Sequence, residues 1–398
     1  MSRFIAIPVA VGDAFYLELD NFSILTDGGG NTTAFPTMFQ TCTKTNGVNI
    51  VICTHNDADH ANGILGFLQA GMRCEEVWLP GRWLSVLPDI LKPFVEILEE
   101  LISDIKKIRT SDKLEKYKLI FSNIEDYANY VSDSLRDDPL AEEGPLVEDD
   151  GWPKSCIEKL ENAELLEDIF QSFEPRGLAY WVFRLTSPYF QLMPAEVQLL
   201  WSAIDAARIR GIALEAFHRG ISVRWFEFNT SHPSGGIPTL QPVNSREVGR
   251  VRPRVGPLLT WLALTVSNKE SLVFLSPAGN NYPGILFTAD SNLSGLQIPF
   301  QLDHALITAS HHGSEANAMA YSFIESVSQN AFSSITWVRS DGRYKSRPGR
   351  TYLGLTSSKI CSLCRQAGGK WTRKQAIHLY SRSGKWIRTR GSKVCSCQ

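Results

Sequence analysis

The chain has 398 residues, 43% apolar, 10% aromatic and 21% charged, a composition that supports a sizeable buried core and excludes a disordered protein. With no run of about 18 apolar residues, no membrane span is expected, and Met1-Ser2-Arg3-Phe4-Ile5-Ala6 reads into a strand rather than a secretory leader. Eight cysteines without such a leader point to free or metal-bound thiols in a reducing cytoplasm.

The net charge of -2 conceals a strong asymmetry. Between Leu84 and Glu174, 23 acidic residues stand against 10 basic ones; from Arg339 to Gln398, 15 Lys and Arg face a single acid, Asp341. Tyr344, Tyr352, Trp371, Tyr380 and Trp386 are interspersed in that basic tract. Cations with interleaved aromatics suit phosphate neutralisation and base stacking by a nucleic-acid partner. The alternative is that the acidic and basic segments pack against each other or solvate the surface.

In chain order, Ile5 to Val9, Phe15 to Leu19, Ile24 to Thr26 and Ile50 to Cys53 read as strands, separated by turn signals that include Gly28-Gly29-Gly30. Asn62 to Gln69 reads as the first helix. From Leu84 to about Arg219 the pattern turns helical, with Ile90, Phe94, Ile97, Leu98 and Leu101 on one face. Asp137 to Pro153, acidic and broken by Pro139, Gly144 and Pro145, reads as a loop. Strand-like runs return at Ser222 to Phe228, Leu258 to Val266, Leu272 to Leu275, Gly284 to Thr288 and Ala305 to Thr308. Neither strand-rich block suffices for a two-layer core. The blocks 1–83 and 221–355 are therefore expected to form one domain in two halves, interrupted by an acidic helical insertion, 84–220, and followed by a basic extension, 356–398.

The densest chemistry lies in Thr54-His55-Asn56-Asp57-Ala58-Asp59-His60-Ala61-Asn62-Gly63, between a strand and a helix. Two imidazoles and two carboxylates within six residues can converge on divalent ions, and nitrogen and oxygen donors suit zinc or manganese. A helix cap at Asp57 or Asp59 would explain one residue and leave three unexplained.

The motif His-x-Asp-x-Asp-His-x-x-Gly after a strand resembles that of the metallo-β-lactamase superfamily, and Asp57 at its third position is similar to the branch of the ComEC-type DNA-uptake proteins. Val11-Gly12-Asp13-Ala14 resembles the opening turn of that branch, with Val9-Ala10-Val11 in place of Val-Gly-Gln. Ile24-Leu25-Thr26-Asp27-Gly28-Gly29 resembles its second strand, whose Asp supports the metal loop. Asn268 to Val273 with Ile285 to Asp290, and Leu306 to Ser314 containing His311-His312-Gly313-Ser314, resemble a later strand pair and a His-His-Gly-Ser turn.

The resemblance implies an α/β fold, the αββα sandwich, with a large helical insertion, and a dinuclear site for two divalent ions, Zn2+ or Mn2+. It implies that His55 and Asp57 face one metal, Asp59 and His60 the other, and Asp290 bridges both. His312 is expected to bind the second metal and His311 to contact phosphate or donate a proton, with the reverse assignment open. Asp59, His311 and Arg347 are the expected catalytic residues. Many members supply a further histidine to the first metal, for which His218 and His232 are the candidates. Arg343-Tyr344-Lys345-Ser346-Arg347-Pro348 resembles Arg-Tyr-Gly-His-Pro with Arg347 in place of histidine, and an arginine can fork onto a phosphate instead of binding a cation.

Cys361, Cys364, Cys395 and Cys397 could form a structural zinc site or stay free thiols. The function expected from all this is a cytoplasmic metal-dependent phosphodiesterase or nuclease acting on DNA or RNA, restrained by a protein partner docked on the acidic insertion, as in a bacterial antiviral defence system. The rivals are hydrolysis of a small ester, lactone or cyclic nucleotide, and a non-catalytic metal-binding scaffold.

Overall fold

A computed structural model describes residues 2–20, 22–81, 84, 94–109, 146–162, 208–251, 270–279, 281–296, 302–341, 347–363 and 375–389. The expected strand Leu258 to Val266, the residues Tyr344 and Trp371, and three of the four tail cysteines, Cys364, Cys395 and Cys397, lie outside these. The chain divides into two compact units: Met1–Gly81 with Ile221–Val248 and Asn268–Gln398, and Arg82–Gly220 with Gly249–Ser267. The second unit thus takes in a segment, 249–267, that the sequence places with the strands.

The first unit is mixed α/β. Its nine-stranded sheet has the order β15-β14-β1-β2-β3-β4-β5-β6-β8, built from β1 (Arg3–Ala6), β2 (Phe15–Leu19), β3 (Phe22–Thr26), β4 (Ile50–Ile52), β5 (Glu76–Pro80), β6 (Ser222–Phe228), β8 (Ser245–Glu247), β14 (Ile377–Arg382) and β15 (Lys385–Arg388). The six-stranded sheet, β13-β12-β11-β10-β9-β7, uses β7 (Gln241–Pro242), β9 (Phe274–Ser276), β10 (Ile285–Phe287), β11 (Leu306–Thr308), β12 (Thr336–Arg339) and β13 (Ser358–Cys361). Strands β3 to β6 run parallel, as do β10 to β13. Parallel strands are covered on both faces, which is why Ile50-Val51-Ile52 and Ile285-Leu286-Phe287 are apolar throughout rather than alternating.

One face of each sheet contributes to a shared core in which Phe4, Phe15, Ile52 and Trp78 meet Phe274, Ile285, Phe287 and Val338. The outer faces carry helices. On the nine-stranded sheet these are α1 (Phe35–Thr43) and α2 (Ala58–Gln69), where Phe39 stacks edge-on against Tyr16 and Phe67. On the other, α3 (Ala318–Ser328) and α4 (Arg350–Gly354) bring Tyr321, Ile324 and Tyr352 onto Trp337 and Ile307. The layers are thus helix, sheet, sheet, helix.

Helix α2 starts four residues before the expected Asn62, at Ala58, so Asp59 and His60 sit in its first turn. The tail differs more. The sequence sets 356–398 apart, yet β13 belongs to the six-stranded sheet, and β14 pairs antiparallel with β1 through Arg3–Tyr380 to Ala6–Ile377. The apolar side chains of Ile377 and Leu379 account for this, alternating with half-buried His378 and Tyr380. Trp386 is half-buried against Phe4 and Tyr282, and Tyr352 is fully buried against Tyr321, so Tyr352 offers no base-stacking platform. Arg339 is also internal, its Nε 3.5 Å from Cys361 Sγ.

In the second unit, helices at Phe94–Arg109 and Lys154–Asn162 and a helical run at 208–218 are described. Trp152 packs edge-on against Phe217, and Cys156 and Leu160 are buried. Among the described residues, no helix is long and apolar enough to cross a membrane.

Candidate metal centre

Parallel strands deliver their carboxyl ends to one edge, and the titratable residues collect there. Asp27 follows β3, the His55-to-His60 segment follows β4, Asp290 follows β10, and His311-His312 follows β11. Asp13 joins them from the turn between β1 and β2. Gly12 makes that approach possible: its φ is 89°, and a Cβ there would lie 1.6 Å from the Asp59 carbonyl oxygen. Gly63 has the same role in α2, where a Cβ would meet the Gly28 carbonyl at 1.8 Å.

Each imidazole is held by its outer nitrogen. Asp27 accepts from the Thr54 amide at 2.9 Å and from Thr54 Oγ1 at 2.8 Å, and its Oδ2 lies 2.8 Å from His60 Nδ1. With its one hydroxyl proton given to Asp27, Thr54 Oγ1 can only accept from His55 Nδ1, 3.0 Å away. His312 Nδ1 faces Asp13 Oδ1 at 3.1 Å, and Ser340 Oγ lies 3.0 Å behind that oxygen. Asn317 orients His311. Its Nδ2 donates to the Asp290 carbonyl at 2.8 Å, so its Oδ1 is the acceptor for His311 Nδ1 at 3.0 Å. In His55, His60 and His311 the proton therefore sits on Nδ1, and in all four rings Nε2 turns inward, the arrangement that outer carboxylates and carbonyls impose on ligand histidines.

The four inner nitrogens meet Asp290 in two sets. Asp290 Oδ1 lies 3.3 Å from His60 Nε2 and 3.5 Å from His312 Nε2. Asp290 Oδ2 lies 3.8 Å from His55 Nε2 and 3.5 Å from His311 Nε2. Asp57 Oδ2 is 3.8 Å from His55 Nε2, and Asp59 Oδ2 is 3.4 Å from His312 Nε2. Donor atoms of Asp13, His60, Asp290 and His312 lie within 4.8 Å of one another, as do those of His55, Asp57 and Asp290. These two buried groups could hold a metal ion.

Divalent ions fit the donor set. His55 Nε2 and Asp290 Oδ1 are buried with no hydrogen-bond partner among the described residues, and unpaired buried polar atoms are costly. His60 Nε2 and His312 Nε2 face each other at 3.3 Å, so two lone pairs would repel unless a proton or a cation lies between them. Asp57 occupies the N-cap position of α2 but makes no side-chain cap, its carboxylate being turned toward His55 instead.

The electrostatics agree. Burial lowers His55, and the neighbouring His60 lowers it further, leaving it neutral. Burial would lower His312 too, but Asp13 and Asp290 outweigh it and hold that ring at about 10. His60 is raised well above its usual value against the same burial penalty, by Asp290 and Asp27. Burial opposes ionisation of Asp290, yet His312 and His60 hold it well below the carboxylate range. Without a metal, protonation of the His60–His312 pair supplies the positive charge that the carboxylates require.

His311 and His312 have φ of 45° and 54°, and Ala289, beside Asp290, has 46°. Left-handed backbone costs a non-glycine residue roughly 1 kcal/mol, and the surrounding bonds must impose it. One of them is Tyr321 Oη donating to the Ser310 carbonyl at 2.7 Å.

The other expected residues are not among the donors of the two groups. His232 is exposed on the loop after β6, and His218 belongs to the second unit. Neither joins the clustered donors among the described residues. Arg347 Nε faces the buried Asp341 carboxylate at 3.7 Å, and two residues on, the Gly349 amide donates to the Gly313 carbonyl of the His-His-Gly turn at 2.7 Å. Cys361 is buried and forms no disulfide among the described residues. Two participants had no assigned role in the sequence reading: Asp13 behind His312 and Asn317 behind His311. Asp13 was visible only as part of a turn, and no local signal marks Asn317.

No protein-family model matches the chain, and no curated protein matches it.

Proposed function

We propose that the chain is a metal-dependent hydrolase of the metallo-β-lactamase type, acting on phosphodiesters through two divalent ions. The observation that carries this is the division of the four inward Nε2 atoms between the two oxygens of Asp290. A carboxylate serving two sets of donors is what a dinuclear site requires, and the helix-sheet-sheet-helix layering with the site at one strand edge supports the family reading. Two adjacent divalent ions would stabilise the attacking and leaving oxygens of a displacement at phosphorus and lower the pKa of water.

The chain's own residues complete the site. Asp27, Thr54, Asp13 and Asn317 fix ring orientation. His60 and His312 lie in the set facing Asp290 Oδ1, with Asp59 at its partly exposed edge. His55 and Asp57 lie with the set facing Asp290 Oδ2. His311, with its proton committed to Asn317, presents Nε2 as an acceptor or ligand there, which disfavours the proton-donor role in its neutral form. Arg347 is retained as a phosphate contact.

The exposed cations Arg382 and Lys385 on the β14–β15 hairpin support a nucleic-acid substrate, although the burial of Tyr352 and Arg339 narrows that argument. Restraint by a partner on the acidic insertion belongs to the same proposal.

The test is hydrolysis by chelator-treated protein reloaded with Zn2+ or Mn2+, with bis-p-nitrophenyl phosphate, p-nitrophenyl acetate, single-stranded DNA, duplex DNA, RNA and cyclic dinucleotides as substrates. Metal-dependent phosphodiester cleavage is expected, falling on the order of 10²–10³-fold in Asp59→Ala. Ester cleavage alone would install the small-ester reading, and bound metal with no hydrolysis would install the scaffold.

A further inference from the structure

Next to the metal centre lies a cavity of about 300 Å³ whose wall includes Asp59. Val9 and Val11 from the β1–β2 turn line it together with Ala34, Phe35 and Met38 of the α1 segment. Ala34 and Met38 are four residues apart and share a helix face. Gly28 and Gly30 contribute lining without side chains, and Asn31 also lines the cavity. The volume is at the small end of the roughly 300–1,000 Å³ of ligand pockets.

Charge decides what this cavity can take. Among the described residues that line it, Asp59 alone is charged. An anionic phosphoryl group placed there would meet a carboxylate and no cation, whereas at the His/Asp cluster it would meet divalent ions. The two parts of a substrate are therefore sorted. Asp59 links the two places, since its Oδ2 lies 3.4 Å from His312 Nε2 while the residue walls the cavity. The apolar walls favour an uncharged group, and Phe35 and Met38 suit a flat ring, through edge contacts and the thioether. Asn31 Oδ1 already accepts from the Ala34 amide at 2.7 Å, which leaves its amide nitrogen to donate to a ring heteroatom.

We infer that this cavity is a subsite for an uncharged aromatic ring, nucleobase-like or aryl, attached to the phosphoryl group held at the metal centre. The inference rests on the metal-hydrolase reading and specifies its substrate as a phosphate ester with one ring substituent next to the reacting group.

The experiment compares methylphosphonate and phenylphosphonate binding to the zinc-loaded full-length chain by calorimetry, with zinc content measured on the same samples. The two probes share the anionic head and differ in the ring. Phenylphosphonate is expected to bind about tenfold more tightly, the gain for burying part of one ring. In Ala34→Trp, which fills the cavity, the ratio should fall to near one, with zinc content and methylphosphonate affinity retained. Met38→Trp blocks the same space from the next helical turn and serves where Ala34→Trp does not fold. A ratio near one in the wild type, or a tenfold ratio that survives the filled cavity, overturns the subsite while leaving the metal reading in place. Failure to take up zinc overturns the metal reading itself, and the subsite with it.

Discussion

Asp290→Asn is expected to lose both metal occupancy and catalysis, with phosphodiester turnover reduced on the order of 10²–10³-fold or more. Its two oxygens face both sets of donors: Oδ1 serves His60 and His312, and Oδ2 serves His55 and His311. An amide keeps the shape but offers one neutral oxygen, and its nitrogen would face imidazole nitrogens that need a cation or a proton. Metal content by mass spectrometry and turnover of bis-p-nitrophenyl phosphate check this together. Full metal content with normal turnover in this variant would remove Asp290 from the centre.

His60→Ala is expected to abolish activity and also to destabilise the metal-free protein, by about 3 kcal/mol near neutral pH. The ring is fully buried and forms an ion pair with Asp27, itself 1% exposed, so its removal strands a buried carboxylate. Asp59→Ala should not do this, because that side chain is 21% exposed and at the edge of the site. Asp59 is thus reached by solvent at the edge of the site, whereas His60 is internal. The pH dependence has a definite sign. His60 and His312 are raised in the folded state, the latter to about 10, against an ordinary value of about 6.5 in the unfolded chain. Their contribution is complete below pH 6.5 and is lost as pH rises toward 10. The metal-free wild type should thus lose thermal stability across that window, and His60→Ala should lose less. Metal binding runs the other way, since bound imidazoles must be neutral. Denaturation in chelator from pH 6 to 10 tests both, and a flat profile in the wild type would count against the protonated pair.

Much of the centre was legible because its residues are local in sequence. Thr54 to Gly63 carries four donors in one strand-to-helix turn, and Asp27 was expected to support that turn, as its bonds to Thr54 and His60 now show. Asp13 and Asn317 were not legible as participants. Asp13 meets His312, 299 positions later, only because the sheets share a core, and an asparagine that orients a ring has no spacing rule. The tail was misjudged for a different reason. Counting its charges hid the alternation in Ile377-His378-Leu379-Tyr380, which marks a half-buried strand, and β5 was missed because Glu76-Val77-Trp78-Leu79-Pro80 is a short run ended by proline. The boundary of the second unit could not be read locally either, since 249–267 joins 82–220 through contacts between segments far apart in sequence.

The central claim is that the four inward imidazole nitrogens and Asp290 hold a pair of divalent ions, and metal stoichiometry tests it most directly. Protein stripped with chelator, reloaded with Zn2+ and desalted should carry about two zinc ions per chain, and a His60→Ala/His312→Ala variant no more than about one. Retention of fewer than about one ion per ten chains by the wild type, or equal retention by both proteins, would contradict the account.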